Sequence, residues 1–466
     1  VSSNESSRRP APAAGPSVHG YVTPDNVALL VDLYELAMSD SYLRHEMNDR
    51  ATFALFVRGL PPNRTFLVSA GLDTVLRYLE ELRFDEESIR YLAGLRLFSE
   101  QFLSYLGQFR FTGDVRAIPE GEIFFPPEPL LEVSGPRIET QIIETFLLNA
   151  LNFQVMVASK AARVVLASRG RSVIDFSPRR DHGSDAALKA ARASYISGCT
   201  GTSNVLAGMV YGLPVVGTMA HSYIMSFPDE VEAFRTFARD FPTNAVLLID
   251  TYDTLQGAHN AMIVGRELAA GGAKLRAVRI DSGDLVAQSR AVRAALDAEG
   301  FRDVQIILSG DLNEYKIAEL LDLGAAADAF GVGTEMGTSA DAPTLGGVYK
   351  LVEDEQGYKI KLSTGKATLP GRKQVWRQHD PDGQPVDDLI ALETEPAPDG
   401  RTPLLVPAMR AGRRVISEPL AAIRHRCTER LASLPEEVRQ IEDPVQYPVR
   451  LSPALLELRD RMRSSG

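Results

Sequence analysis

Cysteine, tryptophan, long apolar runs and surplus positive charge are all scarce in this chain, and most of these shortages remove a class of protein. The two cysteines, Cys199 and Cys427, stand far apart and outside any Cys-X-X-Cys spacing, so neither a disulfide framework nor a structural zinc site is expected, and a reducing cytoplasm fits. Seven histidines are spread through the 466 residues with no metal-ligand spacing between any two, which again speaks against zinc. No uninterrupted apolar run approaches the roughly 20 residues that span a bilayer. The opening stretch VSSNESSRRPAPAAGPS has no apolar segment of the signal-peptide kind; residues 1–24 are expected to be a disordered tail. Fifty Lys and Arg stand against 61 Asp and Glu, a formal net charge of −11, so no strongly basic surface is expected for nonspecific nucleic-acid binding. A soluble chain with neither membrane nor nucleic acid as partner is the expectation.

What is present is a repeat of strand, turn and helix. Apolar runs at residues 245–249, 275–280, 304–308 and 327–330 each end in a short turn, respectively DTYDT, DSGD, SGD and GVGT. They are too short for buried helices, and the segments between them, such as LVAQSRAVRAAL, carry apolar residues at helical spacing. Parallel strands follow, with a further strand predicted at 173–176. In parallel sheets and barrels the site is built from loops at the carboxyl ends of the strands. Here those loops hold Asp250, Asp253, Asp281, Asp284, Asp311 and a glycine-threonine turn, a set suited to a phosphorylated sugar held with a metal.

The length suits two or three domains with a sizeable core. From 27 to 105 the pattern predicts a helix from Leu30, a strand at 52–58 and helices near 72–82 and 86–92. Residues 109–134 are β-rich and punctuated by Gly113, Gly121 and the pair Pro126-Pro127. From Glu139 a long helical segment leads into the region that holds every candidate motif and ends near Gly346. After it VYKLVEDEQGYKIKLS reads as a hairpin whose period-two alternation resumes the character of 109–134. These features divide the chain into an N-terminal α/β domain (25–138), a central β/α unit (139–346) and a β-rich then helical segment (347–466). The last is expected to pack on the first, forming one accessory part around the centre.

Individual residues admit two readings each. Asp250 and Asp281 directly follow strands, where an aspartate either reaches phosphate through Mg²⁺ or caps the next helix; Asp284 and Ser282 are the better caps. The turn Gly331-Val332-Gly333-Thr334 offers unobstructed backbone N–H groups and a hydroxyl to a phosphate, or simply bends the chain. His221, just past another apolar strand, is a hydrogen-bonded structural histidine or a nucleophile and proton shuttle. Arg179, Arg180 and Arg279 have the guanidinium fork that matches carboxylate and phosphate. Phe176 and Tyr34 either pack in the core or sandwich a planar ring.

The segments DLYELAM (32–38), DFSPRR (175–180), GTSNVLAG (201–208), GTMAHSY (217–223), IDTYDT (249–254), RIDSGDL (279–285), SGDLNEY (309–315), GVGTEM (331–336) and LGGVYKL (345–351), in this order and spacing, resemble nicotinate phosphoribosyltransferases over roughly residues 27–377. The resemblance implies the type II phosphoribosyltransferase fold, an irregular α/β barrel with an N-terminal α/β domain, in a head-to-tail homodimer with composite sites. It implies an ATP-dependent enzyme of NAD biosynthesis that joins nicotinate to 5-phosphoribosyl 1-pyrophosphate (PRPP), giving nicotinate mononucleotide and pyrophosphate. His221 would be transiently phosphorylated. Arg279, Asp281, Asp250, Gly310 and Asp311 would surround the ribose, the pyrophosphate and its Mg²⁺, and Gly331, Gly333 and Thr334 would hold the 5-phosphate. The pyridine ring would lie between Phe176 and Tyr34 of the other subunit, with Arg179 and Ser222 near its carboxylate. Asn204 aligns with an acidic residue of the nicotinamide-using branch, and a neutral side chain there favours nicotinate. Nicotinamide and quinolinate phosphoribosyltransferases, or an inactive protein that binds NAD precursors, are the competing readings.

Overall fold

Strands buried on both faces read as unbroken apolar runs, and that is how the central runs behave in the computed structural model, which describes residues 20–363 and 368–464. Five of them, joined by the pair Gly201–Thr202, form one sheet: β1 (Ser172–Asp175), β2 (Gly201–Thr202), β3 (Val246–Leu248), β4 (Ala277–Ile280), β5 (Gln305–Leu308) and β6 (Ala329–Val332). Their spatial order is β2-β1-β6-β5-β4-β3, and all neighbours run parallel. The expected irregular α/β barrel is therefore a parallel half-barrel; β3 is one edge among the described residues, and beyond β2 a single parallel bridge joins Thr202 to Val215. All six carboxyl ends face one rim. Residues 1–19 of the predicted tail lie outside the described residues.

The helices that return the chain start where short polar side chains can cap them. Asp253, Asp284 and Asn313 precede the helices Thr254–Ala270, Leu285–Ala298 and Glu314–Asp322, and each accepts a backbone N–H three residues on, from Gln256, Ala287 and Lys316. Such caps are each worth about 1 kcal/mol. Asp284 is thus the cap the sequence predicts. Ser282 is not, because its hydroxyl donates to Asp250 instead.

The long helix expected from Glu139 is two helices, Arg137–Ile142 and Glu144–Ala167, which meet at Ile143. By length and composition the second would cross a membrane, although Gln154, Lys160 and Arg163 break up its apolar run. Its apolar stretch is 78% buried inside the protein. Phe146, Leu147 and Leu151 enter the N-terminal core, Ala161 and Val164 the half-barrel core, and Val157 and Ala158 a third cluster that includes Cys427. Apolar residues on several sides of one helix are what such a shared position requires. Both cysteines are buried and unpaired.

The two flanks of the half-barrel meet in a second sheet. The strand Arg50–Val57 pairs antiparallel with Gly347–Asp354 on one side and Pro129–Pro136 on the other, and Asp114–Ala117 and Val406–Arg410 extend it. The hairpin that the sequence predicts after Gly346 therefore supplies strands to the N-terminal sheet. A four-stranded sheet, built around Lys373–His379 and Pro385–Leu392, completes the β-rich part. Near the N-terminus the helix predicted from Leu30 begins later, at Leu33, behind the extended residue Asp32.

Candidate active site

At the carboxyl rim of the half-barrel lies a cavity of about 520 Å³, which draws its walls from the loops after β1, β4, β5 and β6 and from residues 217–220. Its floor is a tight polar triad. Arg279, the third residue of β4, donates from Nε to Ser309 Oγ at 2.8 Å and from Nη2 to Asp281 Oδ1 at 2.5 Å; Ser309 Oγ in turn donates to Asp281 at 2.6 Å. Burial pushes the Asp281 carboxyl up. The Ser309 hydroxyl, Arg279 and the more distant His221 outweigh that and hold it below the usual carboxylate range. Arg279 also lies over the Phe176 ring, 5.4 Å from its centroid, a cation–π contact that fixes both. An arginine in an apolar strand is thus accounted for.

Asp250 is joined to this floor although 31 residues separate it from Asp281. Its Oδ2 accepts the Asp281 backbone N–H at 2.9 Å and the Ser282 hydroxyl at 2.7 Å. Its Oδ1 is buried and has no hydrogen-bond partner. A desolvated carboxylate oxygen without a partner is costly unless a ligand or ion meets it. Among the described residues no group of three or more His, Cys, Asp or Glu side chains is arranged for a metal ion. The unpartnered Asp250 Oδ1 is of the kind that suits Mg²⁺, a hard cation held by one or two carboxylates together with water and substrate phosphate.

Two glycine segments adjoin this floor: the Gly310–Asp311 turn directly after Ser309, and Gly331 and Gly333, the first still inside β6 and the second just past it. Gly310 and Asp311 both adopt left-handed φ, +99° and +48°, and a Cβ at Gly310 would collide with the Asp281 carbonyl. A Cβ at Gly331 would collide with the Phe176 ring. Gly331, Gly333, Thr334, Gly310 and Asp311 all line the cavity, as do Phe176, Arg179 and Arg180. Arg179 and Arg180 are exposed and pair with no acid among the described residues, which leaves two free guanidinium groups at the mouth for an anionic ligand.

The loop that carries those arginines is held from below by groups that the motif analysis did not single out. Asp175 is buried; Ser177 N–H and Thr202 Oγ1 donate to it at 2.9 and 2.7 Å, yet burial still leaves its carboxyl raised. Ser177 Oγ donates to Asp181 at 3.0 Å, whose carboxyl is pushed up to about 6 by burial and by Asp175. Single small or acidic residues in a loop carry no periodic signal, so only the fold reveals them. Ser309 had one available clue, its place at the head of SGD directly after a strand.

Asp250 and the remaining candidate residues stand outside the cavity lining. His221 opens the short helix His221–Met225, directly after the lining residue Ala220, and its Nδ1 lies 3.0 Å from Thr251 Oγ1. Ser222 follows it. Tyr34 sits on the helix Leu33–Arg44, exposed, with its hydroxyl bonded to Glu144. Asn204 is an N-cap: its Oδ1 accepts the Ala207 N–H at 3.0 Å and its Nδ2 donates to the Ala187 carbonyl at 3.2 Å. Its amide is engaged by backbone, and the neighbouring Ser203 lines the cavity in its place.

Three family models match the chain: nicotinate phosphoribosyltransferase N-terminal domain over residues 29–152, nicotinate phosphoribosyltransferase family over 172–358, and nicotinate phosphoribosyltransferase C-terminal domain over 400–459. The chain is 46% identical over 439 residues to nicotinate phosphoribosyltransferase pncB2 of Mycobacterium tuberculosis, covering 94% of each. It is 37% identical over 465 residues to nicotinate phosphoribosyltransferase of Bacillus subtilis, covering 92% of this chain and 93% of the other. The crystal structure of human nicotinic acid phosphoribosyltransferase superposes with a TM-score of 0.82 at 30% identity, over 92% of this chain and 99% of that one. Similarity of this extent across both chains, together with an Arg279–Asp281–Ser309 floor beside two glycine segments, establishes that the chain belongs to the nicotinate phosphoribosyltransferase family.

Proposed function

We propose that the chain joins nicotinate to PRPP, releasing pyrophosphate and forming nicotinate mononucleotide for NAD synthesis. The observation that carries this reading is the cavity at the carboxyl rim of parallel strands, where Arg179, Arg180 and Arg279 meet Asp281, Asp311 and the glycines Gly310, Gly331 and Gly333. The pyridine nitrogen attacks the anomeric carbon with its own lone pair, so no protein base is needed. As the bond to pyrophosphate breaks, positive charge builds on the ribose and negative charge on the leaving group. Arg279 would meet the second and the Asp281 carboxylate the first. Gly331, Gly333 and Thr334 hold the 5-phosphate through backbone N–H groups and a hydroxyl. Arg179 and Arg180 pair with the nicotinate carboxylate, while the Phe176 ring, braced by Arg279, stacks on the pyridine. Asp250 and Asp281 would hold Mg²⁺, which when bound supplies positive charge to the pyrophosphate oxygens.

ATP is the expected co-substrate. His221 Nδ1 is occupied by Thr251, so Nε2 is the nitrogen we assign to accept the γ-phosphoryl group of ATP, with ADP leaving and water later cleaving the phosphohistidine. The added charge beside residues 217–220 would draw that loop over the cavity. A homodimer with composite sites is supported by the exposed apolar residues Val205, Met209 and Val210 beyond Ser203, and by exposed Leu33 and Tyr34 on the N-terminal helix. A cytoplasmic location accords with the two unpaired thiols. The test is product analysis by chromatography with PRPP and nicotinate, nicotinamide or quinolinate, with and without ATP. Nicotinate mononucleotide formed fastest from nicotinate and stimulated by ATP is the expected result; nucleotide formed from another ring alone overturns the reading.

A further inference from the structure

Four buried charges, Arg64, Lys160, Arg163 and Glu314, and the half-buried Asp341 form a group that the chemistry above does not use. Lys160 and Glu314 have fully buried side chains and approach to 2.5 Å. Lys160 Nζ is also 2.9 Å from Asp341 Oδ1. Arg64 grips Asp341 with both terminal nitrogens, at 2.8 and 2.9 Å. Arg163 donates from Nε to Glu314 at 3.1 Å and from Nη2 to the Tyr315 hydroxyl and the Ile441 carbonyl. Burial pushes the Asp341 carboxyl up, but Arg64 and Lys160 outweigh it and hold it well below the usual range.

The division of sign is what matters. All three cations belong to scaffold: Arg64 to the N-terminal region, Lys160 and Arg163 to the long helix Glu144–Ala167. Both acids belong to the loops that follow β5 and β6. Glu314 opens the helix just past Gly310 and Asp311, and Asp341 lies in the turn beyond Thr334. Arg64 also reaches Ser339 Oγ at 3.3 Å, and Ser339 keeps a left-handed φ of +46°, a conformation that persists only when its surroundings enforce it. Replacing a buried ion group by apolar side chains is often neutral or stabilising, so stability alone is a poor reason for five charges here.

Resting on the reading that the ligand is PRPP, we infer that Arg64, Lys160, Arg163, Glu314 and Asp341 are positioning residues that set the distance between the Gly310–Asp311 turn and the Gly333–Thr334 turn, and so select a ligand carrying two phosphate-bearing groups at one fixed separation. Each turn is moored to the same two scaffold elements through its acid, Asp341 by Arg64 and Lys160, and Glu314 by Lys160, Arg163 and, at 3.9 Å, Arg64. Loss of the mooring leaves each turn able to bind its own group but no longer in step with the other.

The experiment uses the full chain with Asp341→Asn, which keeps the side-chain shape, and Arg64→Lys, which keeps the charge and loses the fork. Calorimetric titration in Mg²⁺ compares PRPP with its separate halves, ribose 5-phosphate and pyrophosphate, alongside KM for PRPP, KM for nicotinate and kcat. We expect PRPP binding and its KM to weaken about tenfold through the misplacement of its two ends, with both halves, KM for nicotinate and kcat changed less than about threefold. Equal weakening of PRPP and its halves, unchanged PRPP binding, or failure of both variants to fold overturns the inference. Wild-type turnover reports separately on the proposed function: a wild type that binds PRPP yet makes no nucleotide refutes that reading and leaves the binding comparison decisive. One that binds neither PRPP nor its halves refutes both.

Discussion

Replacing Asp250 by asparagine separates the site from the fold more cleanly than any other single change. Oδ2 of Asp250 accepts from Asp281 N–H and Ser282 Oγ, and an asparagine oxygen in the same place keeps both bonds. Each becomes neutral rather than charge-assisted, a loss of about 1 kcal/mol per bond. Against this, the buried Oδ1 without a partner ceases to be a desolvated charge, which recovers about 1 kcal/mol or more. The net change in stability is then within about 1 kcal/mol, or a few degrees in Tm at most for a chain of this size. Activity responds on another scale, because a neutral amide withdraws the carboxylate that meets Mg²⁺ and leaves the Arg279–Asp281 pair without its neighbouring charge. A loss of about 10² to 10³ in kcat/KM, or about 2.7–4 kcal/mol, is expected. Thermal unfolding by circular dichroism and initial rates over a Mg²⁺ titration measure the two effects. Near-normal turnover at saturating Mg²⁺ would show Asp250 to be a loop brace only, and a collapse of Tm would show that its role is structural.

Three further outcomes are expected. Nicotinate is preferred over nicotinamide by at least about 2 kcal/mol, roughly 30-fold in kcat/KM, because the carboxylate pairs with free guanidinium groups; Arg179→Ala narrows that ratio, and an unchanged ratio would remove Arg179 from the reading. His221→Ala loses ATP hydrolysis and ATP stimulation while slow transfer persists at high PRPP, since the ribose chemistry does not need the imidazole; acid-labile labelling from γ-labelled ATP that survives in the variant places the phosphate elsewhere. The Asp181 carboxyl is raised from its ordinary 3.8 to about 6, so its contribution to stability is fully present below about 3.8 and is lost as pH rises through about 6. Asp181→Asn therefore flattens the fall of Tm between those values, and identical Tm-against-pH curves for variant and wild type would mean that Asp181 titrates normally.

Much of the centre was legible because parallel strands buried on both faces must be short and apolar and must end at turns. That logic located β3, β4, β5 and β6 and placed Asp281 and Gly310 at carboxyl ends without knowledge of the fold, but β6 runs on through Gly331 and Val332, which the sequence assigns to the turn. It also distinguished Asp284, a cap, from Asp281. It failed for Ser282, whose hydroxyl turns to Asp250, and for the break at Ile143, where no proline or glycine announces the end of a helical pattern. For Asn204 the motif suggested a ring-side residue, but the same side chain satisfies the free N–H of a helix start. Local backbone demand took it.

By itself the sequence determined where strands, turns and caps fall, since those follow from side-chain period, capping chemistry and the φ freedom of glycine, all decided within a few residues. Only the tertiary structure decided which turns meet. The order β2-β1-β6-β5-β4-β3 brings Asp250, Asp281 and Ser309 onto one floor and seats Arg279 against Phe176, and the long helix joins Arg163 to Glu314 from 151 residues away. No periodic pattern encodes such pairings, because they depend on how helices and sheet share a single buried volume.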